Sequence, residues 1–522
     1  MNSEHLLAVA TKYPGPGGAV AIVKDGQVLA KRTWGYADLE RRIPMDSATM
    51  MPICSLTKQF ICALLLDVED AEKRADPSFS FEPYLKDRLP GFTREGLTVQ
   101  HLCNNQSGIR DYWALTALLG AHPEGRFTKH DSYRVHYSLG VGQHFRPGQQ
   151  YSYSNSNFHY LARLIGLERP GFDLGEALRE RIFKLAGMPH AELVEETNSK
   201  LKYLYCVGYE GDSALGFRPA VNNIWWSGDA GIVGSLDDLI AYEQWIDSTR
   251  DDPNGLYRRM SATQTFADGK PASYGYGLAH SQINGVPTIG HSGAIRGFRI
   301  GRLHAPSERL SVVTMFNHHA DFGIAEEVMR SVLGMRDASP PERPEGNSPW
   351  YGRYFDLENG LALSVGYSAT GGISVTFAGY PEMLAMTGPD TAQSREMSVR
   401  RDGNRLHVIR PKDNLTLTCE RITGVRGVGY QGTYRCAELD STLTCMGEDS
   451  LIYGSFDGPL GAGPMHLMRH FGGDVWMLEC PRGMDAPAPG DWTVAFERAA
   501  DGQVTGATVG CWLARKLNYV RI

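Results

Sequence analysis

The sequence predicts a multidomain α+β protein: a mixed helix-and-strand part over residues 1–335, then two small all-β domains over 336–423 and 424–522. Three observations lead there. At 522 residues the chain is too long for one hydrophobic core, because cores stop growing beyond about 250–300 residues. The stretch "RDASPPERPEGNSP" (336–349) is rich in proline and charge, lacks periodicity and reads as a linker. Beyond it come short alternating segments and glycine turns without a helical period, in a length that suits two antiparallel barrels or sandwiches.

Element by element, "GAVAIVKDGQVLAKRTWGYAD" (18–38) is two runs around an Asp-Gly turn, which predicts a hairpin. "ICSLTKQFICALLL" (53–66) starts a helix whose run is apolar throughout and therefore buried. "SLDDLIAYEQWID" (235–247) and "GIAEEVMRSVLG" (323–334) have helical spacing, and "RLSVVTMFN" (309–317) reads as a strand. "WYGRYFDLENGLALSV" (350–365) is echoed by "YQGTYRCAELDSTLTC" (430–445), as expected if one all-β unit occurs twice.

Composition narrows the function classes. Hydrophobic residues are 42% and charged residues 21%, the profile of a soluble globular protein. A net charge of −7, without a basic cluster, argues against a nucleic-acid partner. No stretch is long and apolar enough to predict a membrane span, and the N-terminus lacks the basic and apolar regions of a secretion signal. Nine cysteines, scattered singly without a C-x-x-C pair, suit reduced core thiols and a cytoplasmic location.

Three short motifs carry the chemistry. Ser55-x-x-Lys58 places a hydroxyl in the first turn of the helix, where backbone N–H groups favour negative charge, with Lys58 on the same face at i+3, its Cβ about 5–6 Å from that of Ser55. A buried lysine there can take or relay the serine proton; in isolation, the tetrapeptide is equally an ordinary helix start. "YSYSNSNF" (151–158), a polar stretch read as an extended loop, supplies Tyr153, whose hydroxyl can shuttle a proton, and Asn155, which can hold a substrate amide; alone, Tyr-x-Asn is more often just a turn. "TIGHSGAIRGF" (288–298) brings His291, Gly293 and Ala294 to the end of a strand, where a glycine allows close approach and the next N–H can face a reacting carbonyl. No H-E-x-x-H spacing occurs, so neither a metal nor another cofactor is expected.

In this order the motifs resemble those of the serine-dependent penicillin-recognising superfamily: class C β-lactamases, D,D-peptidases and esterase relatives. "LCNNQSGIRDYW" (102–113), "GDAGIVGSLDDLIAYEQW" (228–245) and "YGYGL" (274–278) extend the resemblance to about residue 335. With "MPICSLTKQF" (51–60), "GCWLAR" (510–515) and the all-β half, nearly the whole chain is similar to the D-stereospecific aminopeptidases of that superfamily. The resemblance implies a β-lactamase/transpeptidase-like catalytic domain, an antiparallel sheet flanked by helices, followed by two eight-stranded antiparallel barrels. It also implies a homodimer that releases D-residues, chiefly D-alanine, from peptides or amides with a free N-terminus.

Specificity can be argued from one departure. The superfamily's third motif usually begins with lysine, which binds a substrate carboxylate; here it is His291, mostly neutral at pH 7. That disfavours a carboxypeptidase or β-lactamase and fits a substrate with no carboxylate beside the scissile bond. An aminopeptidase needs an acceptor for the α-ammonium. The resemblance implies a loop of the last barrel that reaches the catalytic cleft, matched here by "CPRGMDAPAPGDW" (480–492). Asp485 near its tip is one candidate acceptor, or else an exposed Asx turn, and Asp229 is a second, or else a turn residue. The alternatives are an esterase or D-amino-acid amidase of the same superfamily, then a D,D-peptidase or β-lactamase, or a non-catalytic binder of peptidoglycan fragments. Which of Lys58 and Tyr153 is the base stays open.

Overall fold

The computed structural model describes residues 12–139, 142–166, 171–199, 206–335, 348–369, 371–448 and 451–522, together with Ala8; most of the expected linker, 336–347, lies outside them. The chain forms two compact units. The first comprises Met1–Ser107, Arg126–Lys129 and Asn157–Asp337, and the second Gly108–Gly125, His130–Ser156 and Ala338–Ile522.

The first unit is built on an antiparallel sheet, eight-stranded among the described residues. Its order is Ile43–Pro44, Gln27–Asp38, Gly17–Lys24, Leu310–Phe316, Phe298–Ala305, Val286–Ile295, Leu278–Ile283, Tyr274–Gly275. The expected hairpin is there, turned at Asp25 and Gly26, both with positive φ, as the tight Asp-Gly turn demands. The two central strands, Gly17–Lys24 and Leu310–Phe316, are buried along almost their whole length, which requires a cover on each face. Val20, Ile22, Leu310 and Val312 share a core with Ile324 and Val328 of the helix Ile324–Val332. Alternation sends Ser311 to the other face, where its hydroxyl donates to Glu243 on the helix Leu236–Ser248. That helix starts at a reciprocal capping box between Ser235 and Asp238, a device that stabilises it by about 1 kcal/mol. The helix Thr57–Ala75 is buried continuously from Thr57 to Leu66; the apolar run Phe60–Leu66 predicts most of this, and Thr57, Lys58 and Gln59 are buried as polar residues.

The second unit holds the two barrels. The first closes through eight strands from Gly352–Asp356 to Leu415–Arg421. In the second, the strands from Gly432–Cys436 to Ala514–Arg521 form a ring closed by pairing of Ser441–Glu448 with Leu451–Gly458, with Gly461–Ala462 added as an edge. The sequence echo has a physical basis. Tyr354 donates to the carbonyl of Trp350 (3.2 Å) and Tyr434 to that of Tyr430 (2.6 Å), and both tyrosines are wholly buried. Arg421 lies 5.0 Å over the first ring and Arg521 5.8 Å over the second. Each arginine comes from the last strand of its barrel, which pairs with the first strand, that of the tyrosine. All nine cysteines are buried and none is in a disulfide. Among the described residues, no helix is long and apolar enough to cross a membrane.

Candidate active site

The residues expected to do chemistry fall in both units, and each set is described within its own. In the first unit, a short turn at Cys54–Leu56 feeds the helix Thr57–Ala75. Cys54, fully buried, takes the left-handed conformation (φ 52°), a strained choice for a residue with a Cβ. The turn leaves Ser55 half-buried at its surface and Lys58 sealed beneath. Lys58 Nζ lies 3.2 Å from Ser55 Oγ and donates to the carbonyl of Asp229 at 2.6 Å. The Phe158 ring lies 5.3 Å from the ammonium. The helix start is fixed from outside: Ile53 N–H donates to the Ile232 carbonyl (2.9 Å), and Ile232 N–H donates to Thr57 Oγ1 (3.1 Å).

The third motif lies along the strand Val286–Ile295, beside the same turn. A Cβ on Gly293 would come within 2.8 Å of Cys54 Cβ and the Ile53 carbonyl oxygen and 3.1 Å of the Ser55 nitrogen. Glycine is therefore a steric requirement for bringing this strand against the Ser55 amide. Ala294 follows, half-buried and paired with Arg299. His291 is buried, with Nδ1 2.5 Å from the Ser292 carbonyl oxygen and Nε2 3.0 Å from the Tyr274 hydroxyl. Burial first, and the nearby Lys58 charge second, push its pKa down to about 3 against the pull of the Ser292 carbonyl. The imidazole is thus neutral at pH 7, as the Lys-to-His departure suggested.

Asp229 is wholly buried, and its carboxylate accepts from the Ser227 N–H at 3.1 Å while its carbonyl holds Lys58. Tyr274, legible only as part of "YGYGL", proves to be the neighbour of His291. Gly277 in the same segment has φ +75°, and a Cβ there would meet the Gln59 nitrogen at 2.6 Å.

In the second unit, Tyr153 sits in an extended stretch whose side chains alternate between buried serines and half-buried Tyr153 and Asn155. Asn155 itself starts the helix Asn155–Ile165 rather than lying in a loop. Its backbone N–H and side-chain amide both donate to Asp111 Oδ1, at 2.7 and 2.8 Å. Asp111 also caps the helix Tyr112–Leu118, an N-cap signal readable in "DYWAL" although its grip on Asn155 is not. Asp111 N–H and Arg110 Nε reach the carbonyls of Leu513 and Arg515, so "GIRDYW" and "GCWLAR" are joined in one unit. Asp485 is buried, not exposed, in a loop tightened by Met484 (φ 59°) and by Arg482, which donates to the carbonyls of Met484 and Asp485.

A β-lactamase family model matches residues 6–332, and a model described as D-aminopeptidase, domain B, matches 344–520. A D-aminopeptidase of Brucella anthropi is 46% identical over 512 residues, covering 98% of this chain and 96% of the relative. One of Brucella canis is 44% identical over 517 residues, covering 99% and 97%. Among solved structures, the D-amino acid amidase from Ochrobactrum anthropi SV3 complexed with D-phenylalanine aligns with a TM-score of 0.51 at 20% identity, over 64% of this chain and 98% of that one. The octameric penicillin-binding protein homologue from Pyrococcus abyssi aligns with a TM-score of 0.52 at 19% identity, over 80% and 98%. These two likenesses speak for the fold. The sequence relatives run nearly end to end, and on that ground the chain belongs to the D-aminopeptidase family, with a β-lactamase domain followed by a D-aminopeptidase domain B.

Proposed function

We propose that the chain is a serine hydrolase that releases N-terminal D-residues, chiefly D-alanine, from short peptides or amides through an acyl-enzyme. The observation that carries this is the sealed Lys58 Nζ 3.2 Å from a reachable Ser55 hydroxyl, in a chain of this family. Ser55 Oγ attacks the carbonyl of the D-residue while its single proton passes to one base, the neutral Lys58 amine or the Tyr153 phenolate. The N–H groups of Ser55 and Ala294 hold the oxyanion, a service whose loss typically costs about 2.7–4 kcal/mol of barrier. The tetrahedral intermediate then expels the amine, protonated through Tyr153, and water hydrolyses the remaining ester along the same path. Asn155 and His291 position substrate and support Tyr153.

Neutral His291 offers no charge to a substrate carboxylate, in keeping with cleavage beside a free N-terminus. Asp485 is the acceptor for the α-ammonium in this reading. Asp229, whose carboxylate is occupied by a backbone N–H, acts instead on Lys58 through its carbonyl. The catalytic domain spans 1–335 and the barrels 336–423 and 424–522. The enzyme works as a cytoplasmic homodimer, a location supported by nine buried, unpaired thiols.

The test is p-nitroanilide hydrolysis with D-alanine, L-alanine and N-acetyl-D-alanine derivatives, in wild type and Ser55→Ala. Turnover confined to the free D-alanine compound and lost in the variant is expected. Equal rates on blocked and unblocked compounds would remove the aminopeptidase reading and leave an esterase or amidase.

A further inference from the structure

Behind the segment that holds Lys58, the first unit contains a cavity of about 880 Å³, within the roughly 300–1,000 Å³ of small-ligand sites. Among the described residues, its lining includes neither Ser55 nor Lys58. Arg88, Lys129 and Arg163 supply positive charge, Asp173, Glu195 and Glu196 negative charge, and the largely buried Trp225 an aromatic edge. Lys129 Nζ lies 5.7 Å from the Trp225 ring. The Glu195 carboxyl is half-buried, and this, with the nearby Asp173 charge, raises its pKa despite hydrogen bonds from Ser227 and Trp225 and the attraction of Lys129. A cavity with cations, carboxylates and an aromatic wall is complementary to a ligand that carries both charges on a short, partly apolar body.

The cavity wall is mechanically tied to the catalytic lysine. Trp226 N–H donates to the Glu195 carbonyl (2.9 Å) and Val194 N–H to that of Gly231 (2.7 Å), so the segment with the two glutamates brackets 226–231. Inside that bracket the Ser227 N–H donates to the Asp229 carboxylate at 3.1 Å, and the Asp229 carbonyl receives Lys58 Nζ at 2.6 Å. Gly228 leaves no slack: a Cβ there would meet the Phe158 carbonyl oxygen at 2.5 Å and Ala162 Cβ at 2.7 Å. A ligand that shifts Trp225 or Ser227 therefore shifts the carbonyl that aims Lys58.

We propose that this cavity is a second, non-catalytic site for a short zwitterionic peptide, whose occupancy is read by Lys58 through residues 225–229. The binding claim is independent of the hydrolase reading; only its kinetic consequence rests on it. The experiment titrates tri-L-alanine, its N-acetyl form and its C-terminal amide into full-length Ser55→Ala protein by calorimetry. The same titration is made in Ser55→Ala carrying Lys129→Met or Glu195→Gln, neither of which touches the catalytic machinery. Saturable binding of the zwitterion is expected, at least tenfold weaker for both single-charge forms and at least tenfold weaker in each variant. Affinity within twofold in both variants, or single-charge forms that bind as tightly, overturns the site. In the kinetic arm, tri-L-alanine is expected to change kcat for D-alanine p-nitroanilide in otherwise wild-type protein. Lys129→Met is expected to keep the basal rate and lose that response. A change in KM alone, equal in both proteins, overturns the coupling to Lys58. Absence of any hydrolysis would defeat the proposed function, while calorimetry would still decide the site.

Discussion

Two buried cations lie close together in the first unit, and their surroundings differ. Lys58 meets neutral oxygens at Ser55 Oγ and the Asp229 carbonyl. Arg302, on the strand next to His291 and in register with it, is clasped by both oxygens of Glu243 and also donates to Tyr257 (3.0 Å) and to Gln59 (3.4 Å). Gln59 directly follows Lys58, so one helix start serves both cations on consecutive residues. A carboxylate fixes a buried guanidinium in charge and geometry, which suits a brace between helix and sheet. A neutral oxygen positions an ammonium while leaving its proton exchangeable, which suits chemistry.

The sharpest separation of the two regions is therefore functional against structural loss. Ser55→Ala should lower kcat/KM by about 10⁴-fold or more, in line with removal of a nucleophile elsewhere. Its melting temperature should hold, because one hydroxyl bond is worth only about 1 kcal/mol. Glu243→Ala should do the reverse, losing about 3–5 kcal/mol of stability by stranding the Arg302 charge, with activity per folded molecule largely kept. Urea unfolding beside steady-state kinetics reads both. A stable Glu243→Ala protein with kcat down a thousandfold would reverse the assignment and make the ion pair part of the machinery.

Gly293→Ala lies between those extremes. The added methyl would press on Cys54, the Ile53 carbonyl and the Ser55 nitrogen, so the strand must back away from the turn. Loss of one oxyanion donor predicts kcat lower by about 10²–10³-fold, with little change in KM if substrate binding is carried elsewhere. A variant with unchanged kcat would mean that Ala294 and the Ser55 amide do not share an oxyanion.

What the sequence made legible follows from range. The hairpin at 17–38, the helix capped by Ser235, and Ser55 with Lys58 on one turn depend on residues a few positions apart, where periodicity and turn chemistry act. The repeated barrel was legible because its closing tyrosine recurs in a local pattern. The Arg302–Glu243 pair, the Tyr274–His291 bond and the grip of Asp111 on Asn155 join residues far apart in the chain. Local pattern holds no trace of such contacts. Asn155 was expected in a loop because "YSYSNSNF" is polar, yet it opens a helix whose first N–H is satisfied by a distant aspartate. The buried state of Asp485 was likewise invisible, since a Pro-Gly-rich loop reads as exposed whether or not it is packed.

The smallest expected effect concerns the neutral histidine beside Lys58. An imidazole nitrogen 2.5 Å from a carbonyl oxygen must carry the proton, so His291 Nδ1 donates to Ser292 and Nε2 accepts from the Tyr274 hydroxyl. With a folded pKa near 3 and an unfolded value of about 6.5, the unfolded chain binds a proton between those limits that the folded chain refuses. This contribution to stability is therefore whole above pH 6.5 and falls as pH drops through the window. Buried His136, His304 and His318, each pushed down to about 4, add loss of the same sign. Tyr274→Phe leaves Nε2 as a buried acceptor without that donor, at a cost of about 1–3 kcal/mol, and makes it easier to protonate. The variant should be less stable at every pH, but its further acid loss from His291 should level off at a higher pH than in wild type, and kcat should fall by a few fold at pH 7, with the gap widening toward pH 5. Thermal melts and kcat profiles from pH 4 to 8 check both. Superimposable profiles would mean that the Tyr274 hydroxyl adds nothing to the burial and the Lys58 charge that keep His291 neutral.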